Sequence, residues 1–230
     1  MRLTTVGVDA DDTLWHNETL FRLTQDRFAR LLAPYADPED LARRLAATET
    51  RNLGLYGYGI KGFTLSMIET ATEFAGDSAT PVVREILAAG REMLTHPIEP
   101  LPGVEAALRA LARDYRLTLI TKGDLLDQER KLAASGLGEL FTTVEIVSEK
   151  TADTYRRVFE QHGEGASAAA MIGNSLKSDV LPALEAGAFA AHIPYALTWA
   201  HETAEAPGGH PRFIELASMA EVPAWPAGCY

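Results

Sequence analysis

The sequence predicts an α/β protein, namely a doubly wound parallel sheet with an all-helical domain inserted after the first strand. From residue 116 onward, short apolar segments of strand type alternate with helical patterns. This alternation is typical of βαβ units, whose parallel strands are covered by helices on both faces. Residues 16–98, in contrast, have helical periodicity and no strand-like segment. We therefore expect a core domain of residues 1–15 and 99–230 and a helical cap domain of residues 16–98.

The composition is that of an ordinary folded protein, because 47% of the 230 residues are hydrophobic and 23% are charged. These fractions exclude a disordered chain and a collagen-like repeat. Asp and Glu number 32 against 21 Lys and Arg, which gives a net charge of −11. This charge argues against surfaces that bind a phosphate backbone or anionic lipid, so we expect neither nucleic acid nor membrane as a partner.

The compartment is predicted from the cysteine count and from the absence of targeting signals. Cys229 is the only cysteine, and a single thiol cannot close a disulfide within the chain. The first residues are too short and too polar a segment for a signal sequence, and no apolar stretch is long enough to span a membrane. We therefore expect a cytoplasmic protein.

The predicted strands of the core are short and apolar. The first, at residues 3–8, leads directly into Asp9, which is typical of a buried parallel strand with polar groups at its carboxyl end. The others are expected at residues 116–121, 143–147, 168–172 and 188–193.

Three helices are predicted between these strands. Residues 125–135 and 180–186 have helical patterns that are each followed by a glycine, the residue that commonly ends a helix. A further helix is expected over residues 151–162, because the Thr151 hydroxyl can cap its first turn.

The inserted domain is predicted to contain three helices. The first has an apolar stripe within residues 20–32, the second begins at Asp37 and Pro38, and the third runs over about residues 80–94. Residues 54–62 are rich in glycine and aromatic residues and are interpreted as a loop that can bend close to a ligand. Because open parallel sheets bind ligands at the carboxyl ends of their strands, this insertion would form a lid over the site.

Polar residues follow the predicted strands at the points where these strands end. They are Asp9, Asp11, Asp12 and Thr13 after the first strand, Thr121 and Lys122 at the second, Lys150 after the third, and the segment from Gly173 to Asp179 after the fourth. We expect these groups to share one pocket, because the strand ends meet at one edge of the sheet. Carboxylates this close together need a cation, and oxygen ligands favour Mg²⁺. Asp12 is interpreted instead as the N-cap of a helix that begins near Leu14.

In their order along the chain, these residues resemble the four motifs of the haloacid dehalogenase-like (HAD) hydrolases. The DxDxT motif is matched by Asp9, Asp11 and Thr13. The strand-end Thr or Ser is matched by Thr121, the isolated lysine by Lys150, and the GDxxxxD loop by the segment from Gly173 to Asp179. The resemblance extends over nearly the whole chain and includes a helical cap after the first motif, of the type called C1, on a Rossmann-like core.

The resemblance implies a role for each matched residue. Asp9 would attack phosphorus and form an aspartyl-phosphate, and Asp11 would protonate the leaving oxygen and then activate water. Thr121 and Lys150 would hold the transferring oxygens of the substrate. Apart from the resemblance, Lys122 is a candidate substrate-binding residue, because it follows Thr121 and can contact an anion. The cofactor would be Mg²⁺, bound by Asp9, by the backbone oxygen of Asp11, and by Asn174, Asp179 or both. The substrate would be a small phosphorylated metabolite.

The sequence departs from the motif at Asn174, which replaces the first Asp of the GDxxxxD loop. An amide oxygen is neutral, so the metal site would carry one negative charge less than is usual in the family. The dehalogenase branch also has an Asn in this loop, but it lacks the second Asp of DxD, because a leaving halide needs no proton. Asp11 is present, and its presence favours the phosphatase over the dehalogenase interpretation.

Other functions remain open at this point. A phosphomutase or another phosphotransferase would use the same residues. A receiver domain also places acids, a Thr and a Lys around Mg²⁺, but it has no helical insertion after its first strand. A binding module without catalytic activity is a further alternative, suggested by Asn174. The sequence does not distinguish a monomer from a dimer.

Overall fold

The computed structural model describes residues 2–197, 199 and 202–225. By their internal contacts these residues form two compact units. The core unit comprises Met1–Glu18, Ile98–Lys122 and Gln128–Tyr230, and the helical unit comprises Thr19–Pro97 and Gly123–Asp127. The short segment Gly123–Asp127, which follows the second strand, therefore packs with the inserted helices.

The core unit contains a six-stranded parallel sheet in the order β3-β2-β1-β4-β5-β6. The strands are β1 (Thr5–Val8), β2 (Arg116–Lys122), β3 (Thr143–Val147), β4 (Ala169–Gly173), β5 (Phe189–His192) and β6 (Phe213–Glu215). The parallel α/β architecture that the sequence predicts is confirmed. The segment expected to be the last strand is β5, and the structure adds β6 beyond it.

Helices cover the sheet on both faces. They are α5 (Val104–Leu111), α6 (Leu125–Ser135), α7 (Ala152–His162) and α8 (Leu181–Glu185). Successive side chains of a strand point to opposite faces. Leu119 therefore packs in one apolar cluster and Ile120 in the other. Burial on both faces explains the largely apolar character of the central strands β1 and β4, which are buried throughout.

Strand β1 lies in the centre of the sheet, between β2 and β4. Its Thr5 pairs with Arg116 of β2 and with Ala169 of β4, so the three strands begin at nearly the same level. Beyond the end of β1, β2 continues for three residues to Lys122 and β4 for one residue to Gly173. Gly7 allows this close packing, because a Cβ atom there would lie 2.9 Å from Ile120 Cδ1. The residues that follow β1 thus emerge between those that follow β2 and β4.

The helical unit is built from four long helices, α1 (Glu18–Leu32), α2 (Pro38–Tyr56), α3 (Ile60–Ala75) and α4 (Ala79–Leu94). They bury an apolar cluster that includes Phe28, Leu41 and Met67. As expected, Asp37 caps α2, since its carboxylate accepts from the backbone N–H of Glu39 and Asp40.

The interpretation of residues 54–62 as a loop is wrong for most of that segment. Helix α2 continues to Tyr56 and α3 begins at Ile60. Only the three residues between them are outside a helix, and both glycines there have positive φ, 71° at Gly57 and 104° at Gly59. The glycine-rich composition indicated a turn, but the turn is shorter than expected. Among the described residues, no helix combines the length and the apolar character that crossing a membrane requires.

Candidate active site

The candidate active site lies in the core unit, at the carboxyl ends of four neighbouring strands. Asp9 follows β1, and its N–H donates to the carbonyl of Ile172 in β4 at 2.9 Å. Thr121 and Lys122 are the last two residues of β2. Lys150 follows β3, and the segment from Asn174 to Asp179 follows β4. The expected juxtaposition of these residues rests on the strand order β3-β2-β1-β4.

Asp9 is buried and both of its carboxylate oxygens have partners. Lys150 Nζ donates to Oδ1, and the Thr13 hydroxyl donates to Oδ2 at 3.0 Å. Burial raises the pKa of Asp9 to about 7, and the neighbouring Asp179 adds to this rise, while Lys150 opposes it. Without a further cation nearby, Asp9 is therefore partly protonated at neutral pH.

Lys150 is buried between two carboxylates. Its Nζ donates to Asp9 and also to Asp179 Oδ1, at 2.7 Å. Burial by itself lowers the pKa of an ammonium group, but Asp179 and Asp9 outweigh it and raise the pKa of Lys150. The lysine is therefore a fixed positive charge beside the Asp9 carboxylate.

Asp179 was expected as a metal ligand, and the structure places both of its oxygens on other partners. Oδ1 accepts from Lys150, and Oδ2 accepts from the backbone N–H of Ser175 at 2.9 Å. Its carboxylate is almost fully buried, with 1% of the residue exposed. In this arrangement Asp179 holds the lysine and the β4 loop.

The Asn174 side chain lies at the point where oxygens of the first motif converge. One atom of its amide group is 3.1 Å from the backbone oxygen of Asp11 and 3.2 Å from both Asp9 Oδ2 and Thr13 Oγ1. If this atom is nitrogen, it donates to those oxygens. If it is oxygen, the Asp9, Asp11 and Asn174 oxygens face one another and require a cation between them.

This donor set fits Mg²⁺. It consists of a carboxylate, a backbone carbonyl and an amide oxygen, which are hard ligands. The separations of 3.1 and 3.2 Å are close to the roughly 2.9 Å between adjacent ligands of an octahedral Mg²⁺ ion. Among the described residues, no group of three or more His, Cys, Asp or Glu side chains is arranged to hold a metal. The cation would therefore depend on the backbone oxygen and the Asn174 amide.

Asp11 lies two residues after Asp9 but is turned toward helix α6. Lys131 Nζ donates to both of its oxygens, at 2.6 and 2.7 Å. Gln128 Nε2 and Trp15 Nε1 each donate to one of them at 2.8 Å. Burial alone would raise the pKa of Asp11, but Lys131 and the other donors lower it below its usual value. Asp11 is an ionised carboxylate in this arrangement.

Gln128 and Lys131 were not identified from the sequence. They lie three residues apart and so on one face of α6, and both are buried. No sequence signal pointed to them, because Lys131 has acidic neighbours in its own helix, Asp127 and Glu129, and its burial beside Asp11 is evident only from the structure.

Lys122 forms an ion pair with Glu202, which no motif in the sequence indicates. Its Nζ donates to Glu202 Oε1 at 2.6 Å and to the Ser178 hydroxyl at 2.9 Å. Glu202 Oε2 also accepts from the hydroxyls of Ser175 and Ser178, each at 2.5 Å. Thr121 is buried in β2 and pairs with Ile146 of β3.

Two polar residues have structural roles. Asp12 was expected to cap a helix beginning near Leu14. It does cap a helix, but the N–H groups it accepts from are those of Asn17 and Glu18, because α1 begins at Glu18. His192 Nε2 lies 3.0 Å from the backbone oxygen of Asn174, so it anchors the β4 loop.

Comparisons with known proteins identify the family. The model of the haloacid dehalogenase-like hydrolases matches residues 3–187. No curated protein matches the chain at a significant level. A haloacid dehalogenase-like family hydrolase from Xanthomonas campestris is 40% identical, with a TM-score of 0.88 over 99% of this chain and 91% of its own.

More distant solved structures share the fold but carry different activities in their names. A predicted phosphoglycolate phosphatase from Haemophilus somnus is 17% identical, with a TM-score of 0.62 over 96% of this chain and 97% of its own. An L-2-haloacid dehalogenase from Xanthobacter autotrophicus is 14% identical, with a TM-score of 0.64 over 99% and 100%. The fold thus does not decide between these reactions. Together, the motif residues, the family match and the Xanthomonas relative establish that the chain belongs to the haloacid dehalogenase-like hydrolases and is an enzyme.

Proposed function

We propose that the protein is a Mg²⁺-dependent phosphatase that removes phosphate from a small phosphorylated metabolite through an aspartyl-phosphate intermediate. The observation that carries this proposal is the second carboxylate, Asp11, two residues after Asp9. Phosphoryl transfer from an ester releases an alkoxide that needs a proton, whereas a halide leaves without one. A dehalogenase therefore has no use for a carboxyl group at this position.

Asp9 is the nucleophile in this proposal. One of its carboxylate oxygens forms a bond to phosphorus, and the bond from phosphorus to the leaving oxygen breaks. Lys150, fixed between Asp9 and Asp179, stabilises the negative charge on the transferring oxygens. Thr121 and Lys122, at the end of β2, lie beside β1 and supply further donors to these oxygens.

Asp11 has to change partners before it can act as the acid. In the described arrangement its oxygens accept from Lys131, Gln128 and Trp15, and an ionised carboxylate held by a lysine donates no proton. The first step therefore requires Asp11 to leave Lys131 and take up a proton. In the second step the ionised form is the useful one, because it accepts a proton from the water that cleaves the aspartyl-phosphate.

The cofactor of this reaction is Mg²⁺, which the family generally uses. Asp9 Oδ2, the backbone oxygen of Asp11 and the Asn174 amide oxygen would hold it. When bound, the cation offsets the repulsion between the Asp9 carboxylate and the phosphate, and it keeps Asp9 ionised.

A second candidate function is a metal-independent 2-haloacid dehalogenase. Asn174 favours it, because its amide can satisfy the Asp9 and Asp11 oxygens by donating to them with no cation present. The dehalogenase of similar fold is consistent with it. The presence of Asp11 argues against a dehalogenase, because a leaving halide needs no proton. We therefore place the dehalogenase second. A phosphotransferase would use the same residues as the phosphatase and differ only in the acceptor.

The test is hydrolysis of a generic aryl phosphate with Mg²⁺. We expect activity that Asp9→Asn abolishes and that Asp114→Asn, an exposed aspartate of the core unit, leaves unchanged. Chloride release from 2-chloropropionate is measured in parallel with and without a chelator. Chloride release without phosphate release would replace the phosphatase by the dehalogenase, and full activity in Asp9→Asn would refute the nucleophile.

A screen of small phosphorylated metabolites would identify the substrate, because the donors described above recognise only its phosphoryl group.

We further propose a cytoplasmic location, since the single cysteine, Cys229, indicates a chain that needs no disulfide.

A further inference from the structure

Beside the residues of the proposed phosphoryl transfer, three donors at the strand ends converge on one carboxylate of the chain itself, that of Glu202. Glu202 Oε1 accepts from Lys122, and Oε2 accepts from Ser175 and Ser178. The three bonds are 2.5–2.6 Å long, as expected for bonds to an ionised acceptor.

The donors also have contacts that do not involve Glu202. The Ser175 hydroxyl also accepts from the backbone N–H of Ser178 at 2.9 Å, so the first turn after β4 fixes it. The Ser178 hydroxyl accepts from Lys122 at 2.9 Å, which connects the end of β2 with the loop after β4. Both serines are buried, with 5% and 6% of their surface exposed. Such a set of fixed donors is a binding site for any oxyanion of this size.

This site lies close to the nucleophile. Lys122 follows Thr121 directly, and Ser175 follows Asn174. The phenol of Tyr155 donates to the Ser178 carbonyl at 2.9 Å. Carboxylates of the subsite and of the candidate active site both affect its pKa. Burial raises the pKa of Tyr155, and Asp179, Asp9 and Glu202 all raise it further. Hydrogen bonds connect the two sites, because the backbone N–H of Ser175 donates to Asp179 and Lys150 donates to both Asp179 and Asp9.

Glu202 reaches the site from the connection between β5 and β6. Its own N–H donates to the carbonyl of Trp199 at 2.8 Å. The side chain is nevertheless mostly buried, with 14% exposed, as is that of Lys122. The Glu202 carboxylate is therefore largely shielded from water.

We propose that Lys122, Ser175 and Ser178 form an oxyanion subsite for the substrate, and that Glu202 is an internal occupant which the substrate displaces. The inference rests on the proposed phosphatase function, since it assigns the subsite to an anionic group of a phosphorylated substrate. An external anion can bind only to the molecules in which the internal ligand has left the subsite. Its apparent affinity is therefore its intrinsic affinity multiplied by the fraction of such molecules. If Glu202 occupies the subsite in about nine molecules of ten, the loss of affinity is about tenfold.

The first test is the binding of inorganic phosphate, measured by calorimetry with the full chain and Mg²⁺. We expect Glu202→Gln to bind phosphate about five- to tenfold more tightly than the wild type, because Gln keeps the size of the side chain but loses the charge that competes. Glu205→Gln, an exposed change of the same kind three residues away, should bind like the wild type. Lys122→Met should bind phosphate more weakly. Equal or weaker binding by Glu202→Gln would overturn the proposal.

A second measurement needs no variant and so does not depend on how Glu202→Gln folds. Phosphate added to the wild-type protein should increase amide hydrogen exchange over residues 202–207, because displacement of the carboxylate frees the connection that carries it. Unchanged or slower exchange there would contradict displacement. Acetate in place of phosphate then separates two sources of the oxyanion. An effect of both anions assigns the subsite to carboxylate substituents as well, and an effect of phosphate alone assigns it to a phosphoryl group.

These measurements test the subsite independently of the proposed phosphatase function, because phosphate binding requires no turnover. Tighter phosphate binding by Glu202→Gln in an enzyme that hydrolyses no phosphate ester would keep the subsite and remove the phosphatase. Hydrolysis that depends on Asp9, without any gain for Glu202→Gln, would do the reverse.

Discussion

Asn174 supplies an amide oxygen where the metal loop of this family usually has a carboxylate. Its amide can face the oxygens of Asp9 and Asp11 in two ways, with nitrogen when no cation is present and with oxygen when one is bound. In the proposed magnesium site, the cation would have to displace the hydrogen bonds of the Asn174 amide nitrogen. The missing charge and these competing hydrogen bonds would both weaken Mg²⁺ binding.

The first prediction concerns this residue. Asn174→Asp should lower the Mg²⁺ concentration needed for half-maximal activity by about tenfold, since about 1.4 kcal/mol corresponds to that factor and one added charge at a cation site readily supplies it. Asn174→Ala, which removes the oxygen, should raise this concentration. The measurement is a Mg²⁺ titration of aryl phosphate hydrolysis by the three proteins. The same midpoint for all three would exclude Asn174 as a ligand.

Asp12 permits a prediction of pH-dependent stability. Burial raises its pKa from 3.8 to about 7, although the N–H groups of Asn17 and Glu18 oppose this rise. In the unfolded chain the group ionises near pH 4. Between that pH and pH 7 the unfolded state loses its proton while the folded state keeps it, so stability falls as the pH rises. The cost reaches at most about 4 kcal/mol above pH 7.

Asp12→Asn removes this cost and keeps an oxygen for the N–H groups of α1. The asparagine also tolerates the positive φ of 62° at this position. We expect the variant to have the stability of the wild type near pH 4 and a higher free energy of unfolding at pH 8, in urea titrations at both values. A gain of the same size at both pH values would show that the charge of Asp12 is not its cause.

At the level of single residues, the sequence predicts which residues form the site better than it predicts which residues they contact. Asp9, Thr121 and Lys150 follow predicted strands and lie where the strand order brings them together. Lys131 and Glu202 lie elsewhere in the chain, and nothing local marks them as partners of Asp11 and Lys122. Such pairs depend on the packing of a helix or a connection against the strand ends, and no periodicity in the sequence encodes it.

At the level of elements, a substitution at Gly54 distinguishes the end of helix α2 from a loop over residues 54–62. The structure places Gly54 in the last turns of α2, exposed, with no atom within 4 Å of a Cβ built on it. Gly54→Ala should therefore stabilise the protein by roughly 0.5–1 kcal/mol, because alanine has the higher helix propensity. Chemical denaturation measures this gain.

A matched control is Gly57→Ala, at the turn where α2 ends. Its φ of 71° strains any residue with a Cβ, so this variant should lose stability. If Gly54→Ala were destabilising to the same extent, the segment would be a loop, as the glycine content of residues 54–62 first indicated.

Strand β6 shows why a short element escapes prediction. It has three residues, and all of them are partly or fully exposed. Its position is determined by pairing with β5, where Ala190 lies opposite Phe213. The first five strands are longer, and the apolar character of the central strands β1 and β4 is a direct consequence of burial on both faces.

At the scale of the whole molecule, binding of the proposed Mg²⁺ would be linked to folding. A ligand that binds only the folded protein stabilises it, by about 2.7 kcal/mol at a concentration of one hundred times its dissociation constant. In the proposed site, a proton on Asp9 would compete with Mg²⁺ for this carboxylate. Because the pKa of Asp9 without metal is raised to about 7, the stabilisation by Mg²⁺ should be larger at pH 8 than at pH 6.

Thermal unfolding with and without Mg²⁺, at both pH values, measures this effect. A chelator should return the midpoint to its metal-free value. Asp9→Asn, which cannot lose a proton, should respond weakly to Mg²⁺ and equally at the two pH values. A response of the wild-type protein that is the same at pH 6 and pH 8 would contradict competition at Asp9.

The sequence by itself determined the parallel α/β core, the place of the helical insertion in the chain, and the residues that follow each strand. These features are local, since apolar periodicity and glycines act within one element. The tertiary structure decided which of those residues share partners: Lys150 lies between Asp9 and Asp179, Lys131 holds Asp11, and Glu202 fills the donors beside Asn174. Such contacts join segments far apart in sequence, and they arise only when buried charges have to find one another as the strands and helices pack.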